Sequence, residues 1–130
     1  MQYLKFILSV FCFSLIAIMP SQAQMPLAQG KQILNMTTNN WVSFRNFRGQ
    51  QLVYFTHLES WKCHIESVAY EVNNNGEQKI WQLQPCDPSN PNAVTTDTPY
   101  IAFPLKSVKQ VSVTLTYKDG TKSNKMPFKP

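Results

Sequence analysis

At 130 residues, with 12 Lys and Arg against 7 Asp and Glu and a formal charge of +5, the chain is long enough for one modest core and too short for two domains. Its four glycines are scattered, which excludes the glycine-rich loops that cradle phosphates and dinucleotides. No internal repeat, coiled coil or long low-complexity segment is present.

Met1 to Lys5 supplies a short cationic start, and Phe6 to Met19 is an apolar run broken only by Ser9, Cys12 and Ser14. Ser21-Gln22-Ala23 follows as a small-x-small cleavage site, so residues 1–23 are expected to be a signal peptide. The run stops at Met19-Pro20, short of the about 20 residues a spanning helix needs. Cys12 is an unsuitable lipidation site because bulky Val10-Phe11 precede it and the apolar run continues beyond it. Cleavage leaves residues 24–130, which are 107 residues carrying +4 because only Lys5 is lost. The expected location is therefore secreted or periplasmic, with no transmembrane segment after cleavage.

Residues 24–39 are rich in Gln, Asn and Thr without a strong period, so they are expected to form a loose N-terminal arm with at most a short turn at Gln32 to Met36. Asn35-Met36-Thr37 is a glycosylation sequon, meaningful only in a host with that machinery. Residues 40–130 are expected to be a single β-sandwich domain. Trp41 to Phe47 is its first candidate strand. Gln51 to Leu58 is a second, central one, because both of its faces are apolar or aromatic.

Cys63 and Cys86 are the two cysteines left after cleavage, and a lone pair in an exported domain is most simply one disulfide. Lys62 to Asn73 and Gln78 to Gln84 have strand-like content, and Asn73-Asn74-Asn75-Gly76 between them suits a tight turn. The midpoint of positions 63 and 86 falls between Asn74 and Asn75, so a hairpin turning there brings the cysteines opposite each other. The apolar alternation changes phase between Ile65 and Val68, which predicts a bulge near Glu66-Ser67.

Pro85, Pro88, Pro91 and Pro99 bracket a polar stretch that cannot continue a ladder, so a long surface loop is expected there. Tyr100 to Pro104 reads as a short strand. Val108 to Tyr117 reads as a half-buried antiparallel strand with Val111, Val113, Leu115 and Tyr117 facing inward. Lys118-Asp119-Gly120-Thr121 supplies a turn, and Lys122 to Phe128 pairs back as an edge strand with lysines in solvent. The total is about seven antiparallel strands, an all-β chain expected to form a small sandwich of immunoglobulin or fibronectin-III type with one disulfide, or else a small barrel. The run from Val113 to Thr121 resembles the penultimate hairpin of exported immunoglobulin-like modules, which bears on fold alone.

A hydrolase triad has only His57 and His64 to draw on, without a Gly-x-Ser-x-Gly elbow. Cys63 beside His64 points to the opposite face if both lie in a strand. Glu59, Glu66, Glu71 and Glu77 read as solvated surface acids. No enzymatic activity and no cofactor are expected.

Binding is the favoured role. Trp41, Phe44, Arg45, Phe47, Arg48, Tyr54, Trp61 and Trp81 concentrate aromatic and arginine content in the first half of the chain, and such residues anchor interfaces and stack on sugar rings. Trp41, Arg45, Arg48 and Trp61 are the candidate contacts, and the loop from Pro85 to Pro99 is a second candidate. The expected function is that of an exported, non-enzymatic binding or accessory module contacting a protein or polysaccharide. One alternative is a periplasmic metal-handling or redox protein using His57, Cys63, His64 and Cys86, which are ligand types for zinc or copper. Another is a structural envelope component whose edge strand is completed by a neighbour. Lys106, Lys109, Lys118, Lys122, Lys125 and Lys129 crowd the last quarter; they read as a solvated face, and no specific nucleic acid is expected as a partner.

Overall fold

The computed structural model describes residues 25–130, so the expected signal peptide lies outside the described residues. Among the described residues seven strands form two antiparallel sheets. The first sheet has the order β1-β2-β5, with β1 at Ser43–Phe47, β2 at Gln50–Tyr54 and β5 at Tyr100–Pro104. The second has the order β4-β3-β6-β7, with β3 at Ile65–Val72, β4 at Lys79–Trp81, β6 at Val111–Tyr117 and β7 at Met126–Phe128. Phe44, Val53, Ile101 and Phe103 from the first sheet meet Val68, Tyr70, Val113 and Leu115 from the second, so the core is the layer between them.

The β3–β4 hairpin follows its turn residues. Asn73 and Asn74 take φ of 55° and 50°, a region asparagine tolerates through its short polar side chain. Val68 pairs with Trp81, and five positions outward from that rung lie Cys63 and Cys86, which are joined. The register of β3 on β6 slips between Ile65 and Ser67. The extra residue, Glu66, lets Ile65 face the core alongside Val68 and Tyr70, as the phase change requires. Cys63 itself sits in a short 3₁₀ turn, Lys62–His64, and not in the strand.

Two expectations are corrected. In the part of the expected arm that is described, residues 25–39, the chain is not loose: Leu27–Met36 is a helix, α1, followed by a 3₁₀ turn at Thr38–Asn40. Its buried stripe is narrow, Gly30 and Leu34, and a glycine in that stripe together with polar neighbours hides the helical period. The second strand ends at Tyr54, and Thr56–Ser60 forms a one-turn helix, α2. That turn carries the chain from one sheet to the other while burying Leu58 and Glu59.

Both histidines serve α1. The His64 Nε2–H donates to the Met25 carbonyl at 2.8 Å, and Gly30 presses on the His64 ring. Thr37 Oγ1 donates to Ile33 O at 2.7 Å, which leaves His57 Nε2–H to donate to that oxygen at 2.9 Å. Burial lowers the His57 pKa. The Trp41 indole N–H donates to Leu34 O, and Tyr117 Oη–H donates to Asn35 Oδ1.

On the solvent side Lys31 Nζ donates to Asp119 Oδ2 at 3.0 Å and to Thr121 Oγ1 at 2.8 Å. Hydrogen bonds from the Thr121 hydroxyl and from Lys31 hold the Asp119 carboxyl down at about 2, against an ordinary 3.8. A carboxyl depressed on folding contributes stability fully above its unfolded value and loses it as pH falls through the folded one. The amides of α1 are therefore expected to lose hydrogen-exchange protection between about pH 4 and about pH 2. Asp119→Asn should start from weaker protection and remove most of that acid dependence. An unchanged acid profile in that variant would show that the tether does not hold the helix.

Candidate binding face

Strand register separates the two sides of the three-stranded sheet. Phe44 pairs with Val53, and Val53 with Ile101; all three pack on the core. Their chain neighbours therefore point away from it: Arg45 and Phe47 on β1, Leu52 and Tyr54 on β2, Tyr100 and Ala102 on β5. Arg45 lies across from Leu52, and Leu52 across from Ala102, so Leu52 is the centre of this outer face. Tyr54 and Tyr100 meet with their rings tilted by 50° and 5.1 Å between centroids, forming one end.

The other end is the β1–β2 turn. Arg48 and Gly49 both have positive φ, 51° and 75°, the pair of left-handed residues a two-residue hairpin of type I′ needs. Arg45 stands over the Phe47 ring at 4.3 Å and Arg48 at 5.0 Å, while 39 % of Phe47 remains exposed. Each guanidinium is attracted to the ring face while its donors stay in solvent. No acidic residue occurs in residues 43–58 or 98–118, so this surface is apolar, aromatic and cationic.

The four expected contact residues are divided by the fold. Arg45 and Arg48 come together at this face. Trp41 does not: at 1 % exposure, with its ring 6.2 Å from that of Phe128, it is core. Trp61 is half-buried against the core and 5.6 Å from the His64 ring. Leu52 and Tyr100 were hidden in the sequence because their place depends on the pairing of β2 with β5, which lie about fifty positions apart.

The expected solvated acids are also divided. Glu66, Glu71 and Glu77 form ion pairs with Lys118, Lys125 and Lys79. Glu59, in contrast, is fully buried. Its carboxylate accepts the Trp81 indole N–H at 2.9 Å and the Gln84 N–H at 3.3 Å, which satisfies the polar atoms that burial would otherwise penalise. Lys62, 2 % exposed, donates to the carbonyls of Glu59 and Ala93. With Asn92 Nδ2 donating to Ser60 O, these bonds pin the proline-rich loop to α2. The loop is thus strapped to the body at several points.

The proposed metal ligands do not form a set. Cys63 and Cys86 are bonded to each other, His57 faces Thr37 and His64 faces Met25. Among the described residues no group of three His, Cys, Asp or Glu side chains is placed to hold a metal ion. No family model matches the chain, and neither the curated proteins nor the solved structures contain a significant match. Fold and site together define a disulfide-linked β-sandwich with an outer face of exposed arginines and partly exposed aromatic rings.

Proposed function

We propose that the chain is an exported, non-enzymatic binding or accessory module whose outer β1-β2-β5 face contacts a protein or a polysaccharide. The observation that carries this reading is the patch of exposed Arg45, Phe47 and Arg48 with half-buried Tyr54 and Tyr100 around a buried Leu52, with no acid in either segment that builds it. Aromatic and arginine side chains supply most of the energy of protein interfaces, and the charge favours an acidic complement. Export is supported by the cationic and apolar start, the cleavage site and the disulfide. Among the described residues no helix is long and apolar enough to cross a membrane. We take the sandwich to be of immunoglobulin or fibronectin-III type on its division into three and four strands.

A structural role through strand addition at β7 has less support. Pro127 lies in the middle of that edge strand and withdraws one of the donors a neighbour would pair with.

The test is affinity capture from an envelope extract of the host with the wild type and with Arg45→Glu/Arg48→Glu. Both arginines are exposed, so the fold should tolerate the change. Loss of the two arginines is expected to weaken a captured partner by at least about thirtyfold, since one such anchor is commonly worth about 2 kcal/mol. Equal recovery by a folded variant would reject the face as the contact surface.

A further inference from the structure

We propose that the mouth between the two sheets, beside the β1–β2 turn, is a binding site for an anionic saccharide held by Lys106, Lys109 and Lys129. A depression of about 350 Å³ opens there, lined by these lysines together with Asn46, Gln51, Val108 and Pro130. That volume lies in the range of small-ligand sites, about 300–1,000 Å³. Asn46 and Gln51 belong to the inner side of the first sheet, whereas Lys129 follows β7 of the second. The site is therefore separate from the outer face.

Charge gives the first reason. The ion pairs among the described residues engage Lys31, Lys79, Lys118 and Lys125 and leave Lys106, Lys109 and Lys129 without an acidic partner. No Asp or Glu side chain lines the depression, and the main-chain carboxylate that Pro130 carries in this chain offsets one of the three ammonium charges and leaves the other two in excess. Three ammonium groups around one concavity repel each other and favour an anion between them.

Preorganisation gives the second. Asn73 Oδ1 accepts the Lys109 and Gln110 N–H groups at 2.6 and 3.2 Å, and its Nδ2 donates to Ser107 O at 2.7 Å. Gln51, itself buried, bonds both backbone groups of Val108 at 3.0 Å. Phe128 is buried and anchors the chain just before Lys129. The backbone under each lysine is thus fixed while the charged heads pair with no acidic side chain, so little ordering remains to be done on binding.

Chemistry narrows the ligand. Ammonium groups are hydrated point charges that accept sulfate, phosphate or carboxylate without a planar fit. Asn46 makes no side-chain hydrogen bond within the described chain, so its amide is available to a hydroxyl. No aromatic ring lines the depression, which removes the stacking platform a nucleobase uses. A concave site also favours a narrow chain over a flat bilayer. A sugar with two or more anionic groups, free or within an acidic polymer, meets these conditions.

Titration by calorimetry and by ¹H–¹⁵N spectra should use tetragalacturonate and a sulfated heparin-derived tetrasaccharide, with neutral maltotetraose as control. Saturable binding by at least one anionic probe is expected, with the largest shifts at Lys106, Lys109 and Lys129 and none from maltotetraose. Lys106→Gln/Lys109→Gln should weaken it by about tenfold or more, whereas the uncharged change Tyr54→Ala/Tyr100→Ala, at the far end of the outer face, should change it by less than about twofold. Lys106 has φ of 60°, so Lys106→Gly suits the backbone there and should fold while also losing affinity. Absence of saturable binding, an undiminished affinity in the folded lysine variants, or equal binding of inorganic phosphate, single-stranded DNA or phosphatidylglycerol vesicles would overturn the saccharide assignment. Partner capture through the outer face is measured separately, so either reading can fail without the other.

Discussion

Gly30→Ala is expected to destabilise the protein by about 3 kcal/mol and to detach α1 from the sandwich. A methyl group at that position would lie 2.3 Å from His64 Cδ2, 2.7 Å from Cγ and 2.8 Å from Nε2. Ordinary carbon contacts begin about 1 Å further out, so either the helix or the ring must move. The ring is confined, because His64 is 2 % exposed, sits 5.6 Å from Trp61 and donates to the Met25 carbonyl. Overpacking of this kind commonly costs about 1–3 kcal/mol, and displacing α1 also removes the His64–Met25 bond and uncovers Leu34.

Urea denaturation would give the loss, and hydrogen exchange over residues 27–36 would locate it. His64→Ala vacates the ring, so the double variant Gly30→Ala/His64→Ala should lose less than the sum of its parts. Simple additivity, or a Gly30→Ala protein as stable as the parent, would mean that the close approach of helix and ring does not hold α1.

The second large effect is expected from the disulfide. Cys63→Ala/Cys86→Ala should lose roughly 3 kcal/mol, since the bridge spans 23 positions and loops of that size reduce unfolded-chain entropy by about that much. For a domain whose total stability is on the order of 5–15 kcal/mol, the melting temperature should fall by about 15 °C. The loss should be concentrated where the bridge holds the open end of the β3–β4 hairpin: the Lys62 and Glu59 bonds that strap the loop from Gln82 to Pro99. Reduction of the wild type should reproduce the shift. A loss below about 1 kcal/mol would mean that the strap holds this end without the bridge.

The hairpin was legible because three signals fall on one axis. Asn73 to Gly76 marks the turn, Cys63 and Cys86 are equidistant from it, and the phase change at Glu66 announces a bulge. Each is a local statement about residue type or parity, and the pairing of Val68 with Trp81 satisfies all of them. The alternation of β6 was legible for the same reason: Val111, Val113, Leu115 and Tyr117 are all buried.

What the sequence hid depends on contacts far apart in the chain. The stripe of α1 contains Gly30, whose role is to admit a ring thirty-four positions away at His64. Glu59 looks like any surface acid until Trp81 and the Gln84 N–H supply its donors. Trp41 looked like a contact residue and is core because α1 covers it and takes its indole N–H. Of the candidate face, Arg45 and Arg48 could be chosen by type, yet Leu52 and Tyr100 join them only through the register of β2 with β5.

Photo-crosslinking in the living host tests the outer face most directly. Tyr100→p-benzoylphenylalanine places the reactive group on the outer face of β5, and the same replacement at Asn90, on the proline-rich loop, is the control. The account predicts a discrete adduct from position 100 that disappears with Arg45→Glu/Arg48→Glu and is missing from position 90. No adduct from position 100, or the same adduct from both positions, would contradict it.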